Sequence, residues 1–126
     1  MKNFLFVFAA IVALFTGCAE FQSGDQPSDS ITEPRFFFGE LRYTEISSIE
    51  KTWRGVKAAV KDLNFNVESR EQDLLQATII AVGEGKEIKI HLEENSPTTT
   101  EIRIRAGKIG DKRLAEKVML AIRKHL

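Results

Sequence analysis

The chain has 126 residues, with Lys plus Arg and Asp plus Glu equal at 18 each, and 43% of its residues are hydrophobic. That length accommodates one small domain at most. The zero balance excludes the basic excess of a nucleic-acid binder, and the apolar fraction excludes a wholly disordered chain.

The chain opens on Met1-Lys2-Asn3, a short cationic start, and continues into an unbroken apolar run from Phe4 to Phe15 that ends at Thr16-Gly17-Cys18. This is the three-part plan of a secretory signal. At roughly 1.5 Å per residue the run covers about 18 Å as a helix, short of the roughly 30 Å hydrocarbon core a permanent span must cross. Leu14-Phe15-Thr16-Gly17-Cys18 resembles the lipobox of bacterial lipoproteins, with Phe15 standing where Leu is usual. That resemblance implies cleavage before Cys18, a diacylglycerol on its sulfur and acylation of the new amino terminus. More than one acyl chain, at about 0.8 kcal/mol per buried methylene, makes a lasting anchor. Ala19, rather than Asp, after the cysteine implies the outer membrane and its periplasmic face. Cys18 is the only cysteine, so the processed chain would hold itself together without disulfides.

From Ala19 to about Arg35 the chain is rich in Gln, Ser, Gly, Asp, Pro, Thr and Glu, too polar to bury a core. It is expected to be a flexible tether whose r.m.s. span is roughly 20 to 25 Å. The expected organisation is a signal peptide over 1–17, the acylated cysteine and tether over 18–35, and a folded domain over 36–126.

Phe36 to Glu45 reads as one strand, with Phe38, Arg42 and Thr44 on one face and Phe37, Gly39, Leu41 and Tyr43 on the other. Ser47-Ser48-Ile49-Glu50 has a capping-box pattern that predicts a helix capped by Ser47, with Glu50 reaching back. Ile49, Trp53, Val56, Val60 and Leu63 form its apolar stripe, and Asn64 is a left-handed terminator. Four strands follow. Phe65 and Val67 mark the first, and after a polar turn Leu75 to Val82 forms the second. Gly83-Glu84-Gly85 turns the chain into Lys86 to Glu93, and Asn95-Ser96-Pro97 turns it into Thr99 to Ala106. Alternation puts Ile88, Ile90, Leu92, Ile102 and Ile104 on a dry face and Lys89, His91, Glu93, Glu101, Arg103 and Arg105 on a wet one. Asp111 then caps a last helix with Leu114, Val118, Ala121 and Ile122 inward. The order β-α-β-β-β-β-α predicts a two-layer α+β domain, an antiparallel sheet of about five strands with two helices on one face.

These features resemble a small bacterial lipoprotein family known as domain of unknown function 3568. The resemblance rests on the lipobox, Arg42-Tyr43-Thr44, Trp53, Leu63-Asn64-Phe65-Asn66-Val67 and above all Ile104-Arg105-Ala106-Gly107-Lys108-Ile109-Gly110-Asp111 before the last helix. It implies a cell-envelope setting and supplies no catalytic residues. The element order is also similar to helix-grip and TATA-binding-like half-repeat folds, an analogy of fold alone.

Candidate chemistry is sparse. His91, between Lys89 and Glu93, lacks the second His or Cys a metal site needs, and His125 is expected at the negative end of the last helix. No Ser-His-Asp spacing, cofactor motif or small-molecule site is identified; Gly83-x-Gly85 reads as a hairpin turn and Gly107-x-x-Gly110 as a helix entry. On the wet face, pairing Glu93 with Glu101 would set His91 against Arg103 and Lys89 against Arg105, so a register slipped by two residues, with Glu93 against Arg103, is predicted. Without that slip, Lys89, His91, Arg103 and Arg105 would form an anion-binding patch. Phe36, Phe37 and Phe38 cannot all face inward, which makes them candidate partner contacts.

The reading is a non-enzymatic lipid-anchored module of the cell envelope that contacts the membrane through its anchor and binds an envelope protein or component, without nucleic acid. The alternative is a binder of anionic lipid or lipopolysaccharide through Lys89, His91, Arg103 and Arg105. From Phe36 onward the chain carries 16 basic and 14 acidic residues, so the overall neutrality conceals a mildly cationic domain.

Overall fold

A computed structural model describes residues 33–126. The expected signal segment, Cys18 and nearly all of the expected tether lie outside the described residues. In chain order the elements are β1 (Arg35–Phe37), β2 (Glu40–Glu45), α1 (Ile49–Asp62), β3 (Asn66–Gln72), β4 (Gln76–Gly83), β5 (Lys86–Ser96), β6 (Thr99–Ala106) and α2 (Lys112–Arg123). The strands form one antiparallel sheet in the order β1-β2-β6-β5-β4-β3. Both helices pack on one face of it and against each other. The two-layer α+β class and the element order agree with the sequence reading, with six strands in place of five.

The extra strand comes from a turn inside what alternation presented as one strand. Phe37 pairs with Glu40, leaving Phe38 and Gly39 as a two-residue hairpin with φ of 52° and 76°. Positive φ at both positions is the type I′ signature, whose twist matches the strands it joins. The turn also resets the phase, so Phe36 pairs with Leu41 and packs against the core, while Phe37 shares the opposite face with Glu40 and Arg42. The expected facing of Phe37 is therefore reversed.

The core lies between sheet and helices. Leu41, Ile104, Ile90 and Ile79 pair successively across four strands, and Tyr43, Ile102, Leu92 and Ala77 form a parallel row. From the helices, Trp53, Val56, Val60, Leu114, Val118 and Ile122 close over these rows. Helix α1 begins one residue later than the capping box suggested: Ser48 is the N-cap and accepts from the Lys51 N–H at 3.2 Å, worth about 1 kcal/mol. Ser47 instead offers its carbonyl to the buried Thr100 hydroxyl at 2.8 Å. Asn64, at φ 60°, ends the helix as expected. Asp111 caps α2 as expected, and its inward residues are Leu114, Ala115, Val118, Met119 and Ile122, with Ala121 only partly buried.

The β5–β6 register is the direct one, not the slipped one: Glu93 faces Glu101, His91 faces Arg103 and Lys89 faces Arg105. The apolar face decides this. In the direct register Glu94 lies against Thr100 near the turn. A two-residue slip would set Glu94 against the fully buried Ile102 and leave Ile88 without its Ala106 partner. The slip would thus replace apolar pairs by polar ones at both ends of the buried row, whereas like-charge pairs on the open face cost about 1 kcal/mol or less.

Candidate functional site

The open face of the sheet holds the sequence-predicted polar residues in straight rows. Arg35, Arg42, Arg103, His91, Thr78 and Glu71 face one another in register across all six strands. Lys89, His91, Arg103 and Arg105 come together, as the sequence suggested, around a depression of about 330 Å³ that Glu40 also lines. Most of their charge is already engaged. Arg103 Nη2 donates to Glu93 Oε1 at 3.3 Å and to Glu101 Oε1 at 3.1 Å. Arg105 Nη2 donates to the Phe38 carbonyl at 2.9 Å, and His91 Nδ1 lies 2.8 Å from the Thr78 hydroxyl. Lys89 alone of the four has no ion-pair or hydrogen-bond partner among the described residues.

The Thr78–His91 contact brings a hydroxyl to an imidazole, the start of a nucleophile–base pair. A working triad needs a third group orienting the other ring nitrogen, and the nearby Glu93 is held by Arg103. Among the described residues no three His, Cys, Asp or Glu side chains cluster to hold a metal ion. His125, expected to face the end of its own helix, instead sets Nε2 at 2.6 Å from Asp62 Oδ2 and joins the ends of the two helices.

A second, larger concavity of about 970 Å³ lies at the end of the sheet where the β4–β5 hairpin meets the connection from β6 to α2. It is lined by Lys86 from the β4–β5 hairpin, Arg105 at the end of β6, Lys108 and Ile109 in the connection, and Lys112 and Arg113 at the start of α2. Ion pairs weld these turns together. Lys86 Nζ is 2.9 Å from Asp111 Oδ2, and Glu84 at the hairpin tip receives Lys117 at 2.7 Å and Arg113 at 3.4 Å. The Leu114 N–H, then Lys86, holds the Asp111 carboxyl below the ordinary aspartate range, and hydrogen bonding from Lys117, then Arg113, does the same for Glu84. Gly39 and Gly110 sit backbone to backbone: a Cβ on Gly110 would collide with Gly39, and one on Gly39 with the Ile109 carbonyl. These residues escaped the sequence reading because they come from three turns far apart in the chain. The available signal was the run Lys108-Ile109-Gly110-Asp111-Lys112-Arg113, in which a lone large apolar residue sits among cations.

Of the phenylalanines, Phe36 packs on the core, while Phe37 and Phe38 are exposed and meet edge to face with centroids 5.4 Å apart. Arg42 lies over the Phe37 ring at 5.1 Å. Cys18 lies outside the described residues. Among those described, no helix is long and apolar enough to cross a membrane.

Comparison with protein families matches residues 2–125 to the model described as "Protein of unknown function (DUF3568)". Comparison with curated proteins finds no match.

Proposed function

Because the chain belongs to the DUF3568 family, whose description names no activity, we propose from its own residues that it is a non-enzymatic, lipid-anchored module of the bacterial cell envelope. One observation carries this reading: a cationic start and a twelve-residue apolar run that end at Leu14-Phe15-Thr16-Gly17-Cys18. Cys18 takes the acyl groups, residues 19–35 link the anchor to the domain, and the open face of the sheet meets a protein or other component of the envelope. The face suits recognition better than catalysis, because Arg42, Arg103 and Arg105 are already held in fixed geometry and Thr78, which meets His91, lacks a third group to orient that base.

Binding of anionic lipid through Lys89, His91, Arg103 and Arg105 is the weaker reading. Arg103 is taken by two glutamates and Arg105 by a backbone carbonyl, which leaves Lys89 as the principal available cation of the four. The test of the anchor is a Cys18→Ser variant expressed in a bacterial host. The unsubstituted chain should be processed and fractionate with membranes, and the variant should be neither cleaved nor acylated. Unchanged processing and fractionation of the variant would refute the anchor. Crosslinking of the acylated protein in its native envelope, followed by pull-down, then identifies what the sheet face meets.

A further inference from the structure

Both ends of the sheet expose large apolar side chains, and charge tells the two ends apart. At one end, Phe38 is 88% exposed and Ile109 is 90% exposed. The two residues flank the packed glycines Gly39 and Gly110, and Arg105 ties the Phe38 carbonyl to the same corner. Beside them lies the concavity lined by Lys86, Arg105, Lys108, Lys112 and Arg113, whose lining includes only two carboxylates, Glu87 and Asp111. At the other end, Leu74 and Leu75 are exposed in the β3–β4 turn, next to Glu71, Asp73 and, across the sheet, Glu93 and Glu94.

Phe38 adds an independent observation. A bulky aromatic at φ 52° is a costly occupant of a position that Asn or Gly fills easily. Glu84, the matching residue of the other type I′ turn, also at φ 52°, uses its place to bind Lys117 and Arg113. The Phe38 ring meets only the edge of the exposed Phe37 ring and is otherwise almost fully exposed, so its strain is not offset by burial. Lys108 and Lys112 likewise have no ion-pair partner among the described residues.

We propose that this end of the sheet is a membrane-docking tip, with Phe38 and Ile109 entering the interface of an anionic bilayer while Lys108 and Lys112 lie against its phosphates, beside Lys86 and Arg113, which Asp111 and Glu84 hold. Charge complementarity selects the occupant. Clustered lysines are drawn to an anionic surface within about a Debye length, and exposed aromatic and aliphatic groups among them convert that attraction into contact. The acidic end is repelled by the same surface, so the domain stands with a defined orientation and its open sheet face is turned along the membrane. The proposal rests on the anchored reading only for the presence of a bilayer nearby.

The test uses the full chain reconstituted into vesicles, with Ile109→Cys or Leu75→Cys labelled by an environment-sensitive fluorophore and quenched by lipids carrying bromine on their acyl chains. In vesicles of phosphatidylglycerol mixed with phosphatidylcholine, the probe at position 109 should be quenched and that at 75 should not. Lys108→Glu with Lys112→Glu should reduce the docked-to-undocked ratio on the order of tenfold or more, as should pure phosphatidylcholine. Both lysines are exposed and have no ion-pair partner among the described residues, so an unchanged circular dichroism spectrum is expected and shows that the charge, not the fold, was lost. Absence of quenching at 109 in the anionic vesicles, equal quenching at 75 and 109, or indifference to charge reversal would each overturn the proposal. Labelling of the unsubstituted chain reports separately on Cys18: uptake there means a free thiol and refutes the acyl anchor. In that case the docking measurement is repeated in the Cys18→Ser background, where its outcome stands on its own.

Discussion

Glu93 and Glu101 stand directly opposite each other on β5 and β6, and one guanidinium, Arg103 Nη2, bridges both carboxylates at 3.3 and 3.1 Å. The apolar face imposes the register, and Arg103 makes the resulting like-charge pair tolerable. Removing it with Arg103→Met should lower stability by about 1 kcal/mol, a figure discounted for the partial exposure of these groups. The sharper readout is a reversal of sign in denaturant unfolding. Glu101→Gln should be mildly destabilising in the natural background, where it loses an ion pair, and stabilising in the Arg103→Met background, where it relieves repulsion.

Tyr43 is buried on the sheet under Arg123, whose guanidinium lies 5.0 Å from the ring centroid, and its hydroxyl has no hydrogen-bond partner among the described residues. Tyr43→Phe should therefore raise stability by about 1 kcal/mol, since it removes a desolvated group and keeps the ring. Burial, then the nearby Glu45 carboxylate, pushes the phenol well above its ordinary range, against the smaller opposing effect of Arg123. A pKa raised in the folded state gives stability fully present below the ordinary phenol value near pH 10, lost as pH climbs from there towards the raised folded value. Unfolding measured above about pH 10 should show that loss in the natural chain and a smaller one in Tyr43→Phe.

Asp111 carries two jobs at the base of the docking tip: it caps α2 through the Leu114 N–H at 3.0 Å and holds Lys86 at 2.9 Å. Asp111→Ala should cost more stability than Asp111→Asn, because the amide keeps an acceptor for the cap and loses only the charge. Its folded pKa is depressed, so its contribution is present at neutral pH and above the ordinary aspartate range, and is lost as pH falls through the depressed value. Acid unfolding of Asp111→Asn should lack that component, and thermal melts across the acidic range measure it.

The Phe38 turn separates stability from the proposed docking. Phe38→Asn should leave the fold as stable or up to about 1 kcal/mol more stable, because Asn adopts the left-handed conformation more easily than Phe and only a solvent-exposed contact with Phe37 is lost. The same change should weaken contact with anionic vesicles. Gly110→Ala is the opposite case: φ is 101° and the new Cβ would strike the Gly39 backbone, so a loss of about 2 kcal/mol or more is expected in denaturant unfolding.

Most of the architecture was legible in the chain because its signals are local. Periodicities of two and of three to four residues placed five of the six strands and both helices, and Asn64 and Asp111 marked helix ends within one turn. The readings that failed each involved a choice between two locally acceptable patterns. Phe38-Gly39 lacks the Asn-Gly of an easily recognised hairpin, so alternation ran through it and concealed a strand. Ser47 and Ser48 are both acceptable caps, and Thr100, distant in sequence, engages the Ser47 carbonyl. The candidate patch of Lys89, His91, Arg103 and Arg105 was legible from strand alternation, whereas the partners that occupy Arg103 and Arg105 depended on register and on the unrecognised turn.

By itself, the sequence determined the class of the domain, the order of its elements and its dry and wet faces, since each follows from spacing along a short stretch of chain. Only the tertiary structure decided the β5–β6 register and the convergence of Lys86, Lys108, Lys112, Phe38 and Ile109 at one end. The physical reason is the same in both cases. Burial of Ile102 and Ile88 outweighs repulsion on the open face, and the sheet that this burial aligns brings together turns separated by many residues, whose charges are neighbours only once the core is packed.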